Sequence, residues 1–418
     1  MFLKRLFNII MYSFILIVPI MPLKVKIKYF PMSADFILGG LAIFIGALYC
    51  IRLFCIKDKA FLETIFSKRI KLLNIFIIFF VLLSLISVGY SVNKAAAISE
   101  TFRFLEYVLL FYLIIIIADD KFIKVSFLLY FLSMIFANFY GVMQFVLNLS
   151  NFRDAGAVYP LGRGRVFATF ENPNYWGCAV NSVIFIPIID MIEGKRLKIL
   201  YNILLFILFL FNLLMSFTRG SWVGFGLGLL LLFFIRYKKG LISLPFIFGG
   251  ALIVPYIRNR ILSIFSFSNL TNNERLKLWK TGIIMFKEHF WTGVGNGNYL
   301  YRYTEYVKKY KDLYLGRWKF SVHNSYIKMF AELGIFGGIL FIGIYLMLFY
   351  LIYYTYKNSK KYNLYALAFL CFGASYIFQN FFNNLMFIPQ LNVFVWIIIA
   401  LLYKGNFLEE QEDKKWEF

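Results

Sequence analysis

Four segments of this sequence set residues able to hold charge or move a proton directly beside long apolar runs. Arg165 opens a stretch that ends in Phe-Glu171-Asn172-Pro173-Asn174, which predicts a helix with Asn172 as its N-cap and Pro173 as its first helical residue. The free N–H groups and positive dipole end of such a helix favour an anion, with Arg165 close enough to help; an ordinary capped helix would read the same way. Ser216-Phe-Thr218-Arg219-Gly220-Ser221 joins two apolar runs through a tight turn. That turn pins Arg219 at a membrane boundary, as a substrate clamp requires, although an interfacial arginine reaching for water would also fit. A capping box, Thr271-Asn-Asn-Glu274, predicts a helix to about His289 on which Arg275 and Trp279 share one face. A cation and an indole placed there can hold one ligand between them. Val322-His323-Asn324-Ser325 puts an imidazole just before another apolar run, where it can take a proton from a hydroxyl near neutral pH or simply face lipid headgroups.

The remaining candidates are weaker. His289 precedes Phe290 and Trp291 and is read as structural, while Glu171 and Glu305 are further candidate bases. Gly293-Val-Gly295-Asn-Gly297 lacks the preceding strand and the spacing of a nucleotide loop, so it is read as a turn leading back to the membrane. Cys50, Cys55, Cys178 and Cys371 fall in or at the ends of apolar runs and are expected to be buried thiols rather than metal ligands.

The elements that position these residues follow from composition. With 61% hydrophobic and 16% charged residues, a chain of 418 residues is too apolar to be soluble, and lipid must be its solvent. Runs near the ~20 residues that cross a bilayer predict an all-α, polytopic membrane protein with about 12 transmembrane helices. The shortest predicted spans are 104–118, 221–235 and 241–256. Residues 1–256 would hold helices 1–9, 257–324 one large helical extracytoplasmic loop with active-site residues, 325–403 helices 10–12, and 404–418 a charged cytoplasmic tail expected to be disordered. Lys4 and Arg5 precede the first run and no small-residue cleavage site follows Pro19, so that run reads as an uncleaved first helix.

A net charge of +23 would suggest nucleic acid in a soluble protein, but here the cations sit in short loops. With the N-terminus inside, the inner loops are basic, including Lys57, Lys59, Lys68 and Arg69, then Lys195, Arg196 and Lys198. Basic residues in the outer loops run against that bias and need another reason. Lys24, Lys26, Lys28 and the 308–311 run can touch headgroups. Arg153, Arg163 and Arg165, and the twelve Lys or Arg against four acidic residues in 257–324, imply a basic outer cavity for an anion, most simply a phosphate. Arginine interests us more than lysine because its planar fork grips phosphate oxygens in pairs. Inside the predicted spans, Arg52, Glu106, Lys124, Asp190, Lys328 and Glu332 all fall within about two turns of an end, which weakens a pump or symporter reading. The outer loops show no aspartate pair suited to a catalytic divalent metal, and no metal or cofactor is expected.

Taken in order, these motifs resemble the bacterial O-antigen ligase and O-antigen polymerase family. The match rests on Arg165 with Phe-Glu-Asn-Pro-Asn174, Thr218-Arg219-Gly220, Arg275 with Trp279, Gly293-Val-Gly295, and His323-Asn324-Ser325 followed by Glu332-Leu-Gly334. The resemblance implies a glycosyltransferase of the cytoplasmic (inner) membrane with an outward-facing site, acting on a glycan carried by polyprenyl (undecaprenyl) diphosphate. It implies that Arg219 and Arg275, with Arg165 as a third clamp, hold the donor diphosphate, and that His323 activates the acceptor hydroxyl. Asn174, Trp279 and Asn324 would contact substrate. The acceptor would be a glycan, a lipid A core or a protein, as in lipopolysaccharide biosynthesis, or a second carrier-linked repeat in a polymerase. Membrane lipids are the other expected partner, and no nucleic acid is. A non-catalytic flippase or exporter of lipid-linked glycans would need the same clamps without the histidine.

Overall fold

Backbone in lipid must satisfy its own hydrogen bonds, and the apolar runs accordingly fold as helices. The computed structural model describes residues 2–21, 24–27, 30–56, 67–152, 160–194, 198–262 and 270–416. Lys28, Lys57, Lys59, Arg153, Lys195 and Arg196 lie outside them. In chain order the helices are α1 (Phe2–Ile17), α2 (Ala34–Cys55), α3 (Lys71–Tyr90), α4 (Lys94–Ile117), α5 (Asp120–Val146), α6 (Pro173–Glu193), α7 (Ile199–Met215), α8 (Arg219–Ile235), α9 (Leu244–Ile253), α10 (Pro255–Leu262), α11 (Leu270–Glu288), α12 (Tyr299–Lys309), α13 (Ser325–Asn358), α14 (Asn363–Gln379) and α15 (Pro389–Trp416). A short antiparallel pair, β1 (Lys24–Ile27) with β2 (Phe30–Ser33), links α1 to α2, with Lys24 opposite Ser33.

This is a helical membrane protein. Six helices among the described residues are long and apolar enough to cross a bilayer: α2, α3, α5, α6, α13 and the first part of α15. Peripheral helices display the apolar faces that lipid requires, such as Phe36, Leu41, Phe44 and Phe54 on α2, and Ile78, Phe79, Leu82 and Ile86 on α3. By contrast the stretch 393–403 of α15 is apolar all round and buried, with Trp396, Ile397 and Tyr403 packed among its neighbours. The shorter α7, α8 and α14 are also apolar, and α14 packs against both α8 and α6.

Four sequence expectations need correction. The run 241–256 does not continue as one helix. After a 3₁₀ stretch (Lys238–Ser243), α9 has only 10 residues, or about 15 Å of rise, and ends at an extended Val254 because Pro255 forbids helical geometry before it. The run 104–118 is the second half of a longer helix: Asn93 caps α4 by accepting from the Ala96 N–H at 2.9 Å. Glu106 therefore lies twelve residues after Lys94 and eleven before Ile117, not near an end. The charged tail is helical through Trp416. Its Glu410 pairs with Arg69 at 2.6 Å, and its Glu409 accepts from the Ser359 hydroxyl at 2.6 Å and the Lys360 N–H at 2.8 Å. Finally, Cys178 and Cys371 are buried, but Cys55 is exposed.

The glycine run and the Glu332-Leu-Gly334 motif turn out to be two halves of one joint. Gly334, with φ 68° and ψ −165°, breaks α13 and frees the carbonyls of Ala331 and Glu332. Those carbonyls accept from the N–H groups of Val294 (2.9 Å) and Gly295 (2.8 Å), while the Ile335 N–H donates to Phe290 O at 2.9 Å. The fully buried Glu332 carboxylate accepts from the Gly297 and Tyr299 N–H groups (2.9 and 3.0 Å), at the start of α12, and pairs with Lys328 at 2.7 Å. Gly293, Gly295 and Gly297 have positive φ, so the run is the expected turn, docked by its backbone. The joint fixes the end of α11 against α13, the two helices that carry Arg275 and follow His323. A Cβ at Gly334 would collide with the Trp291 carbonyl, in a backbone region open essentially to glycine alone. Gly334→Ala is expected to lose at least about 1–3 kcal/mol of stability, read as a lower thermal unfolding midpoint in detergent. An unchanged midpoint would remove this account of the joint.

Candidate active site

A cavity of about 410 Å³ opens where the start of α6, the α7–α8 turn, α10, α11, the approach to α13 and the end of α14 converge. Arg165, Asn174, Arg219, Arg275, Trp279 and His323, six of the residues singled out in the sequence, all line it. Asn324 does not: its side chain faces the backbone and accepts from the Tyr326 and Ile327 N–H groups (3.0 and 2.9 Å), so it caps α13 directly behind His323.

Each wall has a local cause. Asn172 accepts from the Asn174 N–H at 2.8 Å with Pro173 next to it, so α6 begins where its sequence predicts. In the α7–α8 turn Phe217 has φ 48°, an uncommon conformation for a bulky residue, and two arginines hold the turn's carbonyls. Arg165 Nε donates to Ser216 O at 2.9 Å and Arg260 Nε to Phe217 O at 3.1 Å. The turn delivers Arg219 as the first residue of α8, after Thr218 as N-cap. Arg165 is 8% exposed, and its Nη2 also donates to Asn174 Oδ1 and Thr218 Oγ1, both at 3.1 Å. Its guanidinium thus joins α6 to α8 as well as facing the cavity.

The far wall is tied in by amides. Asn174 Nδ2 donates to Asn383 Oδ1 at 3.2 Å, and Ser325 Oγ donates to Asn380 Oδ1 at 2.6 Å, linking α6 and α13 to the segment after α14. Apolar side chains complete the cavity: Phe217, Val223, Leu276, Leu278, Phe320, Phe378 and Phe382. Trp279 meets Phe382 at 5.8 Å between ring centres, and its indole N–H is buried with no partner.

Four arginines (165, 219, 260 and 275) face one lining carboxylate, Glu274, so the cavity is strongly basic. His323 is half-buried and meets Phe320 at 6.0 Å. Burial, and then the nearby Arg275 cation, lower its pKa to about 4. It is neutral at pH 7 and can accept a proton, though as a weaker base than free imidazole. Neither alternative base lines the cavity: Glu171 is exposed, and Glu305 pairs with Arg302 at 2.8 Å. His289 is also absent from it.

Sequence reasoning missed Arg260, Asn383 and the aromatic wall Phe320, Phe378 and Phe382. Arg260 was counted for charge, and Pro255 just upstream signals the short helix that carries it. Asn380, Asn383 and Asn384 form a polar break between two apolar runs that nothing in a periodicity argument explains.

Residues 204–342 match the family model described as O-antigen ligase. The matched stretch contains Arg219, Arg260, Arg275, Trp279 and His323 and leaves Arg165 and Asn174 outside. A protein of Rickettsia conorii (strain ATCC VR-613 / Malish 7), whose name describes it as a candidate polysaccharide ligase, is 24% identical over 237 residues. That alignment covers 54% of this chain and 56% of the relative, so the chain spans a little over half the relative's length. The resemblance read from the motifs is thus borne out over residues 204–342, the stretch that matches the O-antigen ligase model.

Proposed function

We propose that this helical membrane protein with an O-antigen ligase segment transfers a glycan from a polyprenyl diphosphate carrier to an acceptor hydroxyl, on the outer face of the cytoplasmic membrane. The observation that carries the reading is one cavity lined by four arginines and a neutral histidine, with an apolar wall beside them. The arginines suit a diphosphate, whose charge grows as the sugar departs; donors fixed in advance stabilise that change. The apolar side chains suit the adjoining prenyl chain. His323 takes the acceptor proton as the hydroxyl oxygen bonds to the anomeric carbon, the carbon–oxygen bond to the diphosphate breaks, and the diphosphate leaves with the electron pair. A bound diphosphate near Arg275 offsets the charge that depresses His323, so donor binding would itself raise the basicity of the imidazole. A topology with residues 257–324 outside best matches the loop charges.

Polymerase and ligase share this chemistry and differ in the acceptor. A second reading, a flippase for lipid-linked glycans, draws on Glu100, Arg103 and Glu106 within α4. The void beside Glu100 and Arg103 is about 20 Å³, room for about one water and no sugar, which favours transfer over passage. The test is transfer by purified protein in detergent, with a synthetic polyprenyl diphosphate oligosaccharide and candidate acceptors, with and without chelator. Carrier diphosphate released together with a glycan on an acceptor, or on a second donor, is expected in both conditions. Donor binding without transfer to any acceptor would favour the flippase, and transfer only without chelator would reject the arginines as sufficient.

A further inference from the structure

The loop after α12 carries a row of aromatic rings that begins outside the cavity at Tyr314 and Trp318 and reaches Phe320 on its wall, beside His323. Trp318 is 52% exposed, and its ring lies 4.6 Å from that of Tyr314. Two residues further on, Phe320 lines the cavity and touches His323. Cations accompany the row: Lys308 Nζ stands 5.9 Å from the Trp318 ring centre and the Arg317 guanidinium 5.8 Å from that of Phe320, with exposed Lys319 between them in sequence. The loop is held firmly. Leu313 is buried in the core of this region, and Thr304 Oγ1 donates to the Trp318 carbonyl at 2.5 Å. A fixed backbone therefore presents an exposed indole beside three cations, a surface on which a ligand ring can stack.

We propose that Tyr314, Trp318 and Phe320 form a strip that binds an acidic sugar chain, the acceptor's, and leads its hydroxyl to His323. Only the word acceptor rests on the transferase reading above. A sugar ring presents a face of C–H bonds, slightly positive, that stacks on the negative face of an aromatic ring. Carboxylate or phosphate groups on the chain would meet Lys308, Arg317 and Lys319. A membrane surface is the weaker occupant, because the apolar face of α12 (Tyr299, Tyr303, Tyr306 and Val307) is already buried against the protein, which leaves Trp318 without the apolar helix face that an interfacial anchor lays into lipid.

The test is calorimetric binding of hexagalacturonate to the full chain in an uncharged detergent, with neutral maltohexaose as comparison. The acidic hexamer should bind at least tenfold tighter than the neutral one. Trp318→Ala should weaken it at least tenfold, Trp318→Phe by less than threefold, and Lys319→Gln severalfold, while undecaprenyl diphosphate binds Trp318→Ala as it binds wild type. No binding of either hexamer, equal binding of both, or an unchanged Trp318→Ala variant would overturn the strip. Displacement of the hexamer by phosphatidylglycerol added to the micelles, lost in Trp318→Ala, would overturn it in favour of a lipid surface. Loss of undecaprenyl diphosphate binding in Trp318→Ala would move the strip to the donor side and overturn the acceptor assignment. The two readings fail separately: hexamer binding that persists while His323→Ala transfers normally would reject the transferase mechanism and keep the strip.

Discussion

Replacing His323 with alanine is expected to lower glycan transfer by about 10²–10⁴-fold, the range a positioned general base contributes, while donor binding stays near wild type. The position needs a control, because His323 has φ 53° and alanine resists that backbone. His323→Asn keeps a residue that tolerates the left-handed region and removes the base, so it should lose transfer equally while matching wild type in thermal unfolding. Wild-type transfer in either variant would sink the base assignment. The pH profile adds a second reading. The imidazole must be neutral to accept a proton, and its pKa in the free protein is lowered to about 4. The rate under kcat/KM conditions should therefore hold from neutral pH downward and fall only as pH drops through about 4. Under saturating donor, the diphosphate beside Arg275 raises the imidazole pKa, so the acid limb of kcat should lie at higher pH. An acid limb of kcat/KM near the ordinary histidine value would mean that Arg275 and burial do not act on His323 as the geometry indicates.

How much of this was legible in the sequence depends on how local each signal is. Asn172-Pro173 and the start of α13 were readable because a cap is set by residues one to three apart. Arg275 and Trp279 were readable as a pair because helical spacing alone puts them on one face, and both line the cavity. What failed involved distant partners. The joint between 290–299 and 331–335 is made of backbone bonds and of the Glu332 carboxylate on two backbone N–H groups, pairings between segments that spacing along the chain does not bring together. The tail looked too polar to order, yet its helix is fastened by Arg69 and Ser359, far away in sequence. Asn324 belongs to the same motif as His323, and its side chain caps α13 directly behind that residue, a role that the Asn-Ser step before an apolar run also signals. The early start of α4 was hidden by its own charges, since Lys94, Glu100 and Arg103 end an apolar run without ending a helix.

Arg275→Lys and Arg219→Lys should each weaken donor binding by about 10- to 100-fold despite the kept charge, because a charge-assisted, two-pronged contact is worth about 1.5–3 kcal/mol beyond what one ammonium recovers. Titration with undecaprenyl diphosphate checks this directly, and full affinity in both variants would remove the clamp. Charge and shape separate at Arg275. With lysine there, a cation still faces His323, and the acid limb of kcat/KM should stay near its low position. With Arg275→Gln the repulsion is gone, so the His323 pKa rises toward its ordinary value and the acid limb moves up with it, leaving only the burial part of the depression. Arg165 should behave differently from either. Its guanidinium already bonds Ser216 O, Asn174 and Thr218, so Arg165→Lys breaks the tie between α6 and α8 and should lower thermal stability before it alters affinity. If Arg165→Lys instead kept its melting point and lost donor binding as Arg219→Lys does, Arg165 would be a third clamp in its own right.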